Sequence, residues 1–130
     1  MKKFVLDTSA LFSLIEDEKG KDRIAQILQK EEFILPFVAL LEIHYITQQE
    51  QGLPEADRRY AILKQSNVLW SYDEPTLLTA ARIKAQNQIS IADSMIAAVA
   101  IQYQAILVHK DPEYEQLAGQ LEMEALPYKS

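Results

Sequence analysis

The chain has 130 residues, contains no cysteine and carries a formal net charge of −6 at pH 7. Without cysteine it can form neither disulfides nor thiolate-ligated zinc or iron–sulfur sites. Its acidic balance excludes the general basic surface by which many proteins bind nucleic acid. Any such role therefore needs a local positive charge, and a bound divalent cation could supply it.

One domain over residues 1–130 is expected, because this length is typical of a single domain. No targeting segment is visible, and no apolar stretch reaches the roughly 20 residues that cross a membrane. These features predict a cytoplasmic protein without a membrane partner.

Short apolar strands alternate with helical segments along the chain. In chain order the predicted elements are a strand over 3–6, helices over 9–15 and 21–30, a strand over 33–35, helices over 37–51 and 54–65, a strand over 68–70, helices over 75–88 and 90–104, a strand over 105–108, a short helix over 114–119 and a candidate fifth strand over 123–126. This alternation predicts an α/β fold whose parallel sheet has helices on both faces. Such sheets bind ligands outside the carboxyl ends of their strands.

Four acidic residues interrupt or border apolar sequence instead of lying in charged stretches. They are Asp7 after FVL, Glu42 within FVALLEIHYI, Asp93 within ISIADSMIAAVAI and Asp111 after AILVHK. Two follow strands and two lie near the starts of helices, so all four are expected at the carboxyl edge of the sheet. Crowded carboxylate oxygens suit Mg²⁺ or Mn²⁺, and such a cation can activate water and neutralise charge on a phosphodiester.

Each acid also has a structural interpretation, and the residues alone leave both open. Asp7 can cap the helix that follows it, and Asp93 can complement the dipole of its own helix. Asp111 precedes Pro112, a common turn pair. Glu42 is harder to explain structurally, because an unpaired acid on a largely apolar helix is costly to bury.

Other enzyme and signalling classes fit the sequence poorly. A hydrolase triad of Ser9, His44 and Asp93 lacks a G-x-S-x-G motif. A receiver domain needs adjacent acids after the first strand, where only Asp7 stands, and a haloacid-dehalogenase-type phosphatase needs an acid at the position of Ser9.

The remaining polar residues near these motifs have simpler expected roles. His109 is expected to pack at a strand end, and Thr8 and Ser9 can either cap a helix or support a ligating carboxylate. Solvated surface is expected for two further groups. These are the acids Glu113, Glu115, Glu122 and Glu124 and the bases Arg58, Arg59, Arg82 and Lys84.

Four segments of the sequence together resemble the PIN-domain family, and within it the VapC-type ribonuclease toxins of bacterial and archaeal toxin–antitoxin pairs. The segments are FVLDTSALFSLIE, LLEIHYI, SIADSMIAAVA and AILVHKDPEYEQL. The resemblance implies a three-layer α/β/α fold with a central parallel sheet of four or five strands. It also implies a Mg²⁺- or Mn²⁺-dependent endoribonuclease, with Asp7, Glu42, Asp93 and Asp111 as metal-binding and catalytic acids. His109 departs from a frequent T-x-D pattern, in which Thr, Ser or Asn precedes the last Asp by two positions.

The same resemblance implies three partners: an RNA substrate, a small antitoxin protein and a second copy of the chain in a homodimer. A non-toxin PIN nuclease in RNA processing and an inactive PIN-like scaffold are the alternatives, and no core acid is missing as an inactive scaffold would predict. Antitoxin docking is expected in a groove between helices 21–30 and 37–51. The second helix has apolar residues that cannot all lie on one stripe, namely Phe37, Leu40, Leu41, Ile43 and Tyr45.

Overall fold

A computed structural model describes residues 2–129 and shows five strands in one parallel sheet. The strands are β1 (Lys3–Leu6), β2 (Glu32–Pro36), β3 (Val68–Leu69), β4 (Ile106–His109) and β5 (Met123–Ala125). They lie in the order β3-β2-β1-β4-β5, and every neighbouring pair is parallel. The helices are α1 (Thr8–Ile15), α2 (Lys21–Lys30), α3 (Phe37–Gln51), α4 (Leu53–Leu63), α5 (Glu74–Gln86) and α6 (Ile91–Gln102), with a 3₁₀ helix at Pro112–Leu117. The predicted α/β fold with a parallel sheet flanked by helices is confirmed, and the candidate fifth strand is present.

The middle of the sheet forms the centre of the apolar core. Val5 and Leu6 of β1 and Leu107 and Val108 of β4 are fully buried, which explains their continuous apolar sequence. Leu6 pairs with Val108, so the two strands end side by side. The backbone N–H of Asp7 then donates to the carbonyl of Val108 at 3.2 Å. The chain segments that leave β1 and β4 therefore begin at one edge of the sheet.

The predicted helix over 114–119 is instead a 3₁₀ helix that begins earlier, at Pro112. Proline is favoured at the first position of a helix, because it lacks a backbone N–H and the N–H at that position has no partner within the helix. The Asp111 side chain caps this turn by accepting a hydrogen bond from the N–H of Glu113 at 2.9 Å. Only two residues separate the end of β4 from the 3₁₀ helix, so the first residues of this helix lie at the edge of the sheet.

The expected groove between α2 and α3 is not supported. Helix α3 packs mainly against α4, whereas α2 packs against α1 and β2. Leu40 and Ile43 are buried, while Leu41 and Tyr45 are exposed. The prediction that an antitoxin docks on these side chains is therefore wrong for Leu40 and Ile43, which are buried within the chain. Among the helices of residues 2–129, none combines the length and apolar character that a bilayer crossing requires.

Arg59 corrects a second expectation, because its side chain is buried (7% exposed) and not on the solvated surface. Its guanidinium donates to the Thr47 hydroxyl at 3.0 Å and to the Glu55 carboxylate at 2.9 Å. It also lies 3.5 Å from the Glu16 carboxylate at the end of α1. One side chain on α4 thus connects three helices.

Replacing Arg59 by Met is expected to lower the free energy of unfolding by about 1–3 kcal/mol, because the buried Thr47 hydroxyl and two carboxylates lose a charged donor. Urea unfolding followed by circular dichroism measures this change. Arg58→Met is the matched control: Arg58 pairs with the same Glu55, but its side chain is 60% exposed, so the unfolding midpoint should stay close to that of the wild type. Equal unfolding midpoints for the two variants would contradict the role assigned to Arg59.

Candidate metal centre

Five acidic side chains line a cleft of about 300 Å³ at the carboxyl ends of β1 and β4. They include all four acids singled out in the sequence, together with Glu113; the five are Asp7, Glu42, Asp93, Asp111 and Glu113. One carboxylate oxygen from each of Asp93, Asp111 and Glu113 lies within 4.8 Å of the other two. Asp7 and Glu42 line the same cleft but lie outside this closest group of three.

Asp7 occupies the end of β1 and serves two roles at once. Its Oδ1 accepts a hydrogen bond from the backbone N–H of Ala10 at 2.7 Å, which caps α1. The Ser9 hydroxyl contacts both carboxylate oxygens at 2.8 Å. Burial, which leaves Asp7 only 2% exposed, raises the pKa of its carboxyl to about 7 despite these hydrogen bonds. Asp7 can therefore cap α1 and also belong to the acidic cleft.

Asp93 lies in the first turn of α6, where its backbone N–H donates to the capping hydroxyl of Ser90 at 3.1 Å. Its Oδ1 accepts a hydrogen bond from the Tyr114 hydroxyl at 2.9 Å. Burial raises the pKa of the Asp93 carboxyl to about 7, and the negative charges of Glu113 and Asp111 act in the same direction. Asp7 and Asp93 are therefore each partly protonated at neutral pH unless a cation displaces the proton.

Glu42 reaches the cleft from the second turn of α3, which begins directly after β2. The Thr8 hydroxyl donates to its Oε1 at 2.6 Å. Burial raises the pKa of Glu42, opposed by the Thr8 hydrogen bond and supported by the charges of Asp111 and Glu113. The adjacent residues Thr8 and Ser9 thus orient two different carboxylates: Thr8 holds Glu42 and Ser9 holds Asp7.

Glu113 is the cleft residue that the sequence analysis missed by assigning it to solvated surface. It is half-buried, and its Oε1 accepts a hydrogen bond from the backbone N–H of Ser90 at 2.5 Å. The sequence does contain an indication of this position. Glu113 lies two residues after Asp111 in a turn that begins with Pro112, and such a turn holds both acids near the end of the strand.

His109 packs at the end of β4, in accordance with its expected role. Its Nδ1 accepts a hydrogen bond from the backbone N–H of Asp111 at 3.2 Å, and its ring centroid lies 4.9 Å from that of Tyr114. The triad interpretation is excluded, because His44 Nε2 lies 2.9 Å from Asp57 whereas the Ser9 hydroxyl contacts Asp7.

The cleft lacks an opposite charge that would balance its acids. Within residues 2–129 no lysine or arginine forms an ion pair with any of the five carboxylates. Lys110, the nearest base in sequence, points its Nζ to the carbonyl of Lys19 at 2.8 Å and to Glu18 at 3.5 Å. Hard carboxylate oxygens that lie close together, buried or half-buried and without a basic partner, fit a divalent cation such as Mg²⁺ or Mn²⁺.

Similarity to solved structures places the chain among proteins of one fold. The structure of DNA-bound VapBC from Salmonella typhimurium aligns with a TM-score of 0.75 and 20% identity, covering 96% of this chain and 98% of that chain. VapBC-1 from nontypeable Haemophilus influenzae aligns with a TM-score of 0.74 and 21% identity, covering 95% and 97%. VapC20 of Mycobacterium tuberculosis, described as a Sarcin-Ricin loop cleaving toxin, aligns with a TM-score of 0.70 and 14% identity, covering 88% and 95%.

The family assignment rests on the sequence itself. No match to the chain was found among curated proteins. The family model described as "PIN domain" matches residues 4–120, a range that contains all five acids of the cleft and extends from β1 past β4. The chain therefore belongs to the PIN domain family.

Proposed function

We propose that this protein is a Mg²⁺- or Mn²⁺-dependent endoribonuclease and the toxin of a toxin–antitoxin pair. The observation that carries this proposal is the convergence of five carboxylates in one cleft without a balancing basic side chain. Membership in the PIN domain family supports it, as do the VapBC structures of the same fold and that of VapC20, which is described as a Sarcin-Ricin loop cleaving toxin.

Asp7, Asp93 and Asp111 are the proposed ligands of the cation, with Glu42 as a further ligand or as the group that positions water. When bound, the cation supplies an activated water and neutralises charge that develops on the phosphodiester. Glu113 lies close enough to Asp93 and Asp111 to contribute another oxygen.

Glu42 is suited to proton transfer, because only its Oε1 is held by Thr8 and because burial raises its pKa. Its Oε2 can accept a proton from the attacking water, while Thr8 keeps the carboxylate in place. Asp7 and Asp93 are held by hydrogen bonds from Ser9 and Tyr114, so they need little reorganisation to bind an ion.

The net charge of −6 limits which RNA molecules the protein can bind. RNA is repelled by most of such a surface, so bulk electrostatic attraction contributes little to binding. We propose that the protein cleaves a particular structured or sequence-defined RNA and leaves most RNA intact.

The test is cleavage of total cellular RNA by antitoxin-free protein with Mg²⁺ or Mn²⁺. Discrete products that disappear with EDTA are the expected result. Cleavage that survives EDTA would contradict the metal-dependent reaction. If folded protein cleaves no cellular RNA with either cation, an inactive PIN-like scaffold explains the chain better. Cleavage that matures a precursor RNA without arresting growth would favour a non-toxin nuclease in RNA processing.

A small antitoxin protein is the proposed regulatory partner, in the cytoplasm, where the RNA substrate is found. The similar structures from Salmonella typhimurium and Haemophilus influenzae are of VapBC, and VapBC-5 from Mycobacterium tuberculosis is described as a member of the VapBC family of toxin–antitoxin systems. A short reading frame next to this gene should encode a protein that copurifies with the chain and inhibits its cleavage of RNA. If such a neighbour is present but leaves cleavage unaffected, the antitoxin assignment is wrong.

A second copy of the chain is the proposed occupant of an apolar cleft of about 630 Å³ beside α5. Exposed apolar side chains line it, namely Trp70, Leu77 and Ile91, together with the partly buried Phe37 and Met95. Contiguous exposed apolar surface is typical of protein–protein contacts, and the resemblance to VapC-type toxins implies a homodimer.

Leu77→Lys is expected to convert the dimer to a monomer, because it places a charge in the apolar cleft. Leu77 is 57% exposed, so the change should leave folding intact. Sedimentation velocity at matched concentrations measures the mass. Leu41→Lys is the control, since Leu41 is 55% exposed but lies on α3 outside this cleft. A monomeric wild-type protein would contradict the proposed dimer.

A further inference from the structure

Tyr114 is a fully buried side chain that links two acids of the metal centre. It is 0% exposed and lies in the 3₁₀ helix that follows Asp111. Its hydroxyl donates to Asp93 Oδ1 at 2.9 Å, and its backbone N–H donates to the carbonyl of Asp111 at 3.2 Å. Asp93 is 21 residues earlier, on α6. One residue therefore connects the segment that carries Asp111 with the helix that carries Asp93.

The environment of the Tyr114 hydroxyl makes it a dependable donor. The hydroxyl is fully buried, and its hydrogen-bond partner is Asp93 Oδ1. The phenol ring packs against His109, which limits its movement. In the described part of the chain, Asp93 Oδ2 receives no hydrogen bond, so one oxygen of the carboxylate is held and the other is free.

We propose that Tyr114 is a positioning residue of the metal centre: its hydroxyl fixes Asp93 through Oδ1 and leaves Oδ2 to bind the cation. This inference rests on the proposed metal-dependent function. A carboxylate held in one orientation loses less conformational freedom when it binds an ion, and groups that hydrogen-bond to metal ligands commonly strengthen the site.

The experiment compares Mn²⁺ binding by calorimetry in the wild type, Tyr114→Phe and Tyr72→Phe. Removing the Tyr114 hydroxyl should weaken Mn²⁺ binding roughly 10- to 100-fold. Tyr72→Phe is a matched control, because the Tyr72 hydroxyl also donates to α6, but to the backbone carbonyl of Met95 at 2.6 Å. Its affinity should stay within about 2-fold of the wild type, since no acid of the cleft loses a partner.

A spectroscopic measurement separates positioning from general support of the fold. In metal-free protein the side-chain carboxyl carbon resonance of Asp93 should shift in Tyr114→Phe and stay in place in Tyr72→Phe. If Tyr114→Phe does not fold, the hydroxyl is required for the fold itself, and the proposal is overturned.

The remaining outcomes distinguish this inference from the function on which it rests. If the wild type binds Mn²⁺ and Tyr114→Phe binds it equally well, the role of Tyr114 is wrong and the metal-dependent function stands. If the folded wild type binds no divalent cation, both proposals fail together.

Discussion

Asp7→Asn is expected to reduce RNA cleavage by about 100-fold or more, because losing a charged ligand weakens transition-state stabilisation by about 3 kcal/mol. The same change should stabilise the metal-free protein at pH 8. Asp7 is buried and its pKa is raised to about 7, so its ionised form is costly in the folded state. Asn retains an Oδ1 that can accept the hydrogen bond from Ala10, so the cap of α1 is preserved.

The expected gain in the free energy of unfolding is about 1–3 kcal/mol, given that one unit of pKa shift corresponds to about 1.4 kcal/mol. Initial cleavage rates with Mn²⁺ and urea unfolding in EDTA measure the two effects. Asp57→Asn is the control, because Asp57 is an exposed acid that pairs with His44 outside the cleft. If Asp7→Asn cleaves RNA at the wild-type rate, Asp7 takes no part in the reaction. Marked destabilisation would show that its carboxylate acts chiefly as a cap.

The metal-free protein is expected to lose stability as the pH rises from 5 to 8. Asp7 and Asp93 have pKa values of about 7 in the folded protein against an ordinary value of 3.8. Between those values the folded state holds more protons than the unfolded state, so the free energy of unfolding falls with rising pH. The loss is complete once the pH passes the folded pKa. A decrease of at least about 2 kcal/mol is expected over this range.

His109 acts in the opposite direction over part of this range. Burial lowers its pKa from 6.5, so below about that pH the unfolded state holds the extra proton and stability rises with pH. The variant Asp7→Asn/Asp93→Asn removes the contributions of these two acids and keeps those of His109 and of Glu42, whose pKa is also raised by burial. In EDTA, urea unfolding at several pH values should show stability falling with pH for the wild type and a much smaller fall for the double variant. Parallel profiles would contradict the raised pKa values of the two acids.

The affinity for a divalent cation should increase with pH, whereas the stability of the metal-free protein decreases. Protons compete with Mn²⁺ for Asp7 and Asp93, so the affinity of the wild type should strengthen from pH 6 to pH 8 and then level off. Calorimetric titration in buffers of different ionisation enthalpy would detect the released protons. A flat affinity with no proton release would indicate that these two carboxylates are not ligands.

The sequence by itself determined the fold class and the position of four acids. Continuous apolar strands such as FVL and AILV predict a buried parallel sheet, because strands covered on both faces have no polar side. Asp7 directly follows one such strand and Asp111 stands two positions after the end of another, and the carboxyl ends of parallel strands meet at one edge. Glu42 and Asp93 lie near the starts of helices that begin at the same edge. These inferences need only local periodicity and the connectivity of parallel strands.

Only the tertiary structure decided which polar side chains are buried against one another. Glu113 and Arg59 both occur in charged stretches that locally predict solvated surface. Glu113 contacts Ser90, 23 residues away, and Arg59 contacts Glu16, 43 residues away. Tyr114 likewise could be placed as an aromatic core residue, but its contact with Asp93 depends on how the 3₁₀ helix meets α6. Local periodicity carries no information about such pairs, because burial of a charged group depends on the partner that the fold brings to it.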